Sequence, residues 1–436
     1  MTIDPVMLTV LGLVATFVLI SLHVPVGVAM GVAGVAGFGL LVGFQPALAM
    51  IASETSNNLT SLELATIPLF VLMGAFASVG GLAEDLYALA YAVVGHKRGG
   101  LAMATIGGCA GFGAVCGSSV ATAATFGKAS LPPMLSRGYD PGFAAGTVAS
   151  GGTLGILIPP SSIMVIYAVL AQELIISLYI AALVPSVLAV ALHFGTIAIY
   201  TRLRPGDAPT GERASTAERW RAVRQSWQVI LLAVTVIGGM AFGVFTATES
   251  AAVGAVMAFL FAWMRRSLRI ATLRTVMTST ASTSAMIYVL IIGASLFGYF
   301  AAVTQAPQAL VDAVQSSGIP VWAAMLAMMA MFIVAGAVFD EVAAMVVTMP
   351  FVLPLIKSWG FDPIWWGVIN VVVIELGMLI PPLGMNVFVV KGVAPQIPLT
   401  AIYRGVAPYV ASNFLRLSLL LTFPALALWL PTFLKS

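Results

Sequence analysis

A Pro-Pro pair inside a membrane-length apolar run is the strongest constraint on this 436-residue chain, and it occurs twice. Each proline removes a backbone donor and clashes with the preceding turn, at a cost of roughly 3 kcal/mol in a helix interior. LGILIPPSS spans 154–162 and LGMLIPPLG spans 376–384, so Pro159-Pro160 recurs as Pro381-Pro382, 222 residues later. The same offset pairs Leu131-Pro132 with Leu353-Pro354, and Gly138-Tyr139-Asp140-Pro141 with Gly360-Phe361-Asp362-Pro363. Gly, Asp and Pro aligned together mark an internal repeat, not a shared apolar bias. Two matched breaks of this kind are the pattern of discontinuous membrane helices that line a binding site.

The rest of the chain supplies the membrane. It is 60% hydrophobic and 8% charged, against about 25% charged in a soluble domain. Apolar runs of about 20 residues, long enough to cross a bilayer core, recur from end to end. The expected fold is an all-α polytopic membrane protein with two inverted-topology repeats, about ten spans and two re-entrant helical hairpins. The net charge of +3 gives no case for nucleic acid. Cys109 and Cys116 lie in one apolar Gly-rich run and read as inert buried thiols. The first apolar run lacks a basic leader and a small-residue cleavage motif, so it reads as a retained span. No GxxxxGK[ST] loop is present, and His23, His96 and His193 show no metal spacing. Neither an enzyme nor a cofactor is expected.

The first repeat is placed at 1–200. It holds two spans, an interfacial arm at 45–65, a hairpin at 99–135, a broken helix at 142–171 and a closing span. Residues 201–225 form a hydrophilic, Arg-rich linker, read as a solvated loop. The second repeat is placed at 226–436, with an arm at 265–281, a separate span at 284–304, a hairpin at 320–357 and a broken helix at 363–392. Charge sets the orientation. The first arm carries Glu54 and Glu63 and no Lys or Arg, whereas the second carries Arg265, Arg266, Arg269 and Arg274 and no acid. Cytoplasmic segments are enriched in Lys and Arg. The arms therefore lie on opposite faces, the linker is cytoplasmic, and both termini come out periplasmic. Each of 99–135 and 320–357 must then enter and leave on one side.

The candidate site is where the hairpin tips meet the broken turns. Ser118 and Ser119 stand at the first tip, Asp340 and Glu341 at the second. Small residues also let membrane helices pack closely, but a tip position favours ligation. A carboxylate at bilayer depth is a functional hypothesis by default, and Asp340 reads as a cation ligand. Thr153 and its counterpart Glu375 precede the unwound turns at Gly155–Ser162 and Gly377–Asn386, which contain Ser161 and Asn386. For Glu375, ion coupling and a structural hydrogen bond read alike. Oxygens of Ser118, Ser119 and Asp340, with carbonyls freed in the broken helices, can replace the hydration shell of a small hard cation such as sodium. Asp340 with Asp362 is the nearest approach to an aspartyl dyad, and the position of Asp362 in a turn argues against a hydrolase.

GSSVATAATFGKASLPPM, SGGTLGILIPPSS, GVFTATESAAVGA and ELGMLIPPLGMN together resemble the large membrane subunit of tripartite ATP-independent periplasmic (TRAP) transporters, the DctM-like family. The likeness runs along essentially the whole chain. It implies a bacterial inner-membrane permease that imports an organic anion, a carboxylate or sialic acid, with a sodium gradient and an elevator movement. It also implies two partners, a small four-helix Q-type membrane subunit on a separate chain and a periplasmic P-type substrate-binding protein. Carried over by position, Ser118, Ser119, Ser161 and Asp340 resemble the ion and substrate residues. Gly155, Pro159, Pro160, Gly377, Pro381 and Pro382 resemble the unwound scaffold. Thr246-Ala247-Thr248-Glu249 departs from the family's Thr-Pro-Thr-Glu. A stand-alone dicarboxylate transporter of the same architecture is the nearest rival reading.

Overall fold

The GYDP and GFDP repeats are helix starts, and they show how the sequence sets the frame. Gly138 and Gly360 adopt φ of +77° and +75°, a left-handed turn that suits glycine. Asp140 then caps one helix by accepting from the Phe143 N–H at 2.7 Å, and Asp362 caps another by accepting from Ile364 at 2.7 Å. In both cases proline occupies the first helical position, where its missing N–H costs nothing.

The computed structural model describes residues 4–211 and 213–435, and the two termini themselves lie outside the described residues. The described chain is helical, without a β-strand; one isolated bridge joins Arg98 to Thr210. The first half contains α1 (Pro5–Ser21), α2 (Val26–Val42), α3 (Phe44–Thr60), α4 (Thr66–Val79) and α5 (Leu82–Val94). It continues with α6 (Gly100–Cys116), α7 (Ser119–Ser136), α8 (Pro141–Leu157), α9 (Ser162–Ala171) and α10 (Ile175–Leu203). The linker holds α11 (Thr216–Gln225). The second half contains α12 (Trp227–Ala233), a π-turn at Val234–Gly238, α13 (Gly239–Ala241), α14 (Ala247–Met264), α15 (Ile270–Val303) and α16 (Ala306–Ser316). It ends with α17 (Val321–Val338), α18 (Glu341–Ser358), α19 (Pro363–Gly377), α20 (Met385–Val393), α21 (Leu399–Thr422) and α22 (Ala425–Lys435). Among the described residues, five helices are long and apolar enough to cross a membrane alone, and up to nine spans result if each bent pair counts as one.

The 222-residue offset recurs in the helix starts. Helices α1, α7 and α8 begin at 5, 119 and 141; α12, α18 and α19 begin at 227, 341 and 363. Packing is exchanged between halves in the same way. Helix α2 lies on α15 and α4 on α14, while α8 lies on α21 and α10 on α19. Two of these contacts are glycine seams. A Cβ on Gly293 would sit 1.9 Å from the Gly27 carbonyl oxygen, and one on Gly405 would sit 1.9 Å from that of Gly142. Close backbone approach is how helices associate where lipid is as apolar as the side chains.

Two expectations change. The second arm and the span after it are one 34-residue helix, α15, about 51 Å long. No Gly or Pro separates 270 from 292, so nothing ends the helix. The first arm, by contrast, stops at Thr60, before the Ser61–Ala65 turn. The linker, too, is folded. Ser215 and Glu218 form a capping box that starts α11. The Asp140 N–H donates to the Asp207 carbonyl at 2.8 Å and the Tyr139 hydroxyl to that of Pro209 at 3.3 Å. The linker is thus fastened across the mouth of the first hairpin.

Candidate functional site

Two helix pairs turn back on themselves at short polar tips. The first is α6–α7, and its open end is closed by the Leu101 N–H donating to the Tyr139 hydroxyl at 3.2 Å. Its tip is Gly117-Ser118, with Gly117 at φ +64°. The second is α17–α18, which turns at Phe339-Asp340. Ser118 caps α7, accepting from the Ala121 N–H at 3.4 Å, and its counterpart Asp340 caps α18, accepting from Val342 at 2.9 Å.

The next residue in each tip points across the molecule. The Ser119 hydroxyl donates to Glu341 Oε2 at 3.1 Å, a contact between residues 222 apart, and so between equivalent positions of the two repeats. Asn386 Oδ1 lies 3.3 Å from the same hydroxyl, and Met378 Sδ 3.5 Å. Asn386 Nδ2 in turn donates to the Ala149 carbonyl of α8 at 3.2 Å. Ser119 and Asn386 are fully buried and Glu341 nearly so. Both tips, the second break and α8 therefore meet through one small set of oxygen-bearing groups.

The broken turns are seated under these tips by glycine. A Cβ on Gly155 would meet the Ser118 carbonyl oxygen at 2.7 Å, and one on Gly377 would meet that of Ile333 at 2.6 Å. Gly117 approaches the Pro160 carbonyl, and the Gly384 N–H donates to the Ala337 carbonyl at 3.3 Å. The Pro159-Pro160 and Pro381-Pro382 peptides are both cis. In each half a tyrosine from the following long helix supports the turn. Tyr179 donates to the Ser161 carbonyl at 3.2 Å, and Tyr403 donates to that of Leu383 at 2.7 Å. Ser161 Oγ itself donates to the Ile156 carbonyl at 2.5 Å. Thr153 bonds within α8, to the Ser150 carbonyl at 2.9 Å. The predicted residues are thus brought together in part: Ser119 touches Glu341 and Asn386, Ser118 and Asp340 hold helix ends, Ser161 braces the first break, and Thr153 bonds within its own helix.

Sequence reasoning missed the partner of Glu375. This carboxylate forms an ion pair with Arg416 of α21, and both side chains are buried. The signal was an arginine within the apolar run NFLRLSLLL, a placement that calls for a named partner. The supporting tyrosines left no comparable signal.

Chemically, the cluster offers two things. Carboxylate, amide, hydroxyl and carbonyl oxygens are ligands for a hard cation. The N-termini of α7, α9, α18 and α20 converge on the tips and broken turns. Helix N-termini carry free N–H groups and positive dipole ends that suit an anion.

A family model described as the DctM component of the tripartite ATP-independent periplasmic transporter matches residues 13–426. The chain belongs to the DctM family. The chain is 36% identical over 406 residues to the C4-dicarboxylate TRAP transporter large permease protein DctM of Pseudomonas aeruginosa, covering 92% of this chain and 94% of that one. It is 32% identical over 393 residues to the isethionate TRAP transporter permease protein DctMQ of Oleidesulfovibrio alaskensis, covering 90% of this chain and 61% of that longer relative. Its fold is similar to that of the Alcanivorax borkumensis YdaH transporter, with a TM-score of 0.60 at 16% identity over 98% of both chains. This DctM protein is a multi-pass membrane transport protein and not an enzyme.

Proposed function

We propose that this chain is the transport subunit of a sodium-coupled, binding-protein-dependent secondary transporter that imports an organic anion of the carboxylate or sialic acid class. The convergence of the N-termini of α7, α18 and α20 on the Ser119–Glu341–Asn386 contact carries this reading. The positive helix ends receive the anion. Sodium is held beside it by Glu341, Asn386, Ser118, Ser119, Asp340 and broken-helix carbonyls, and offsets the acidic tip. The names of the two relatives both denote small organic anions; C4-dicarboxylate supports the carboxylate class, and isethionate, a sulfonate, supports an organic anion.

In this reading the cycle is an elevator movement. The two hairpins and two broken helices, α6–α9 and α17–α20, travel against α1–α4 and α12–α16. A cleft of about 650 Å³ between α15–α16 and the outer face of α18 supports separate bodies there. The protein sits in the bacterial inner membrane with a Q-type small subunit against the static helices and a P-type binding protein on the periplasmic face. The combined name DctMQ supports the Q-type partner. The basic segments gather at one end, where Arg265 pairs with Asp85 and Arg137 donates to Tyr91. Thr9 of α1 meets Thr304 at the other end of α15, which supports a periplasmic N-terminus.

Reconstitution with both partners into proteoliposomes tests the proposal. A C4-dicarboxylate, an isethionate and a sialic acid would be offered under an inward sodium gradient, then under a proton gradient alone. Uptake of at least one anion only with sodium is expected. Equal uptake with protons and no sodium would overturn the coupling.

A further inference from the structure

A second polar cavity lies on the basic face, away from the transport site. It has a volume of about 370 Å³ and is lined by Tyr91 and Ala92 of α5, Arg137 after α7, Arg213, and Glu218 and Arg221 of α11. That volume falls in the usual range of ligand pockets, about 300–1,000 Å³.

Three guanidiniums face this space against one carboxylate. Arg137 is held in place, donating to the Tyr91 hydroxyl at 2.7 Å with its guanidinium carbon 4.9 Å from the ring centroid. The carboxylate is already engaged, because Glu218 Oε2 accepts from the Ser215 N–H at 2.7 Å. The Ser215 backbone and hydroxyl hold the Glu218 carboxyl below its ordinary range, so it stays an acceptor for the helix start. The cavity therefore carries an excess of positive charge. Two exposed tryptophans lie on the adjoining elements. Trp220 on α11 is 70% exposed and Trp227 at the start of α12 is 46% exposed. Exposed tryptophans beside a basic segment mark the headgroup level of a bilayer. Planar guanidiniums recognise phosphate oxygens in pairs of hydrogen bonds, and anionic lipids of the cytoplasmic leaflet attract juxtamembrane arginines.

We propose that the arginine pocket between α5, α7 and α11 binds the headgroup phosphate of an anionic phospholipid. Arg137, Arg213 and Arg221 all line the pocket. The pocket joins the end of the first hairpin to the linker.

Native mass spectrometry of the purified full chain, delipidated and then titrated with phosphatidylglycerol or phosphatidylcholine, is the test. One phosphatidylglycerol per chain is expected to be retained, with phosphatidylcholine at least roughly tenfold weaker. The triple variant R137Q/R213Q/R221Q is expected to lose that preference, while R269Q/R274Q, on the second arm, keeps it. Glu218→Gln, which can still cap α11, is expected to bind more tightly and guards against a misfolded triple variant. Equal retention of both lipids, an unchanged triple variant, or displacement by millimolar inorganic phosphate as effective as by a short-chain phosphatidylglycerol would overturn the proposal.

Discussion

The two broken turns share one backbone plan and sit in different chemical surroundings. Pro159, Pro160 and Ser161 are buried under a tip of two serines. Pro381, Pro382 and Leu383 are exposed, and their tip carries Asp340 and Glu341. The same asymmetry returns inside the helices before the breaks, where buried Thr153 of the first half corresponds to Glu375, paired with Arg416, in the second. The repeat has thus kept geometry and divided the charge. Both halves supply glycines, caps and helix ends. Only the second supplies carboxylic acids, and the Ser119–Glu341 bond brings a hydroxyl and an acidic residue together at equivalent positions.

The ion pair offers the hardest test of this division. Replacing Arg416 by Leu leaves Glu375 buried and unpaired, a loss of about 3–5 kcal/mol. Thr153→Ala in the first half removes one neutral hydrogen bond, a loss of about 0.5–1.5 kcal/mol. Equilibrium unfolding in detergent would compare them, and the double variant E375L/R416L is expected to recover most of the single-variant loss. Equal losses at Thr153 and Arg416 would break the comparison. The glycine seats come next. Gly377→Ala and Gly155→Ala should each cost about 1–3 kcal/mol by overpacking. Gly377 is expected to cost more, since the three atoms nearest a Cβ there are all backbone, whereas at Gly155 the nearest is the Thr122 hydroxyl. Similar thermal shifts at both sites would show that the two breaks are seated alike.

Much of the architecture was legible because membrane folds write themselves in apolar length and in breaks. The proline pairs and the two GxDP turns gave the repeat, and the structure carries that register to α1 and α12. Residue roles were harder to read. Asp340 stood out as a carboxylate at a tip, yet its side chain caps α18, and the adjacent Glu341 is the one that reaches Ser119. Which of two neighbouring acids caps and which points across depends on where the helix begins by a single residue, and composition does not encode that. Arg416 lay unnoticed because its partner is 41 residues away on another helix. The folded linker was hidden by its polarity, although Ser215 and Glu218 had the spacing of a capping box.

The sodium dependence of uptake tests the central account most directly, with Glu341→Gln and Ser119→Ala compared in the reconstituted three-component system. Glu341→Gln removes the carboxyl that reaches across from the second tip and should raise the sodium concentration for half-maximal uptake roughly tenfold or more. Ser119→Ala, which removes a neutral donor from the first tip, should raise it by only a fewfold. An unchanged half-saturation in Glu341→Gln, or a larger shift in Ser119→Ala, would contradict the assignment of charge to one half of the repeat.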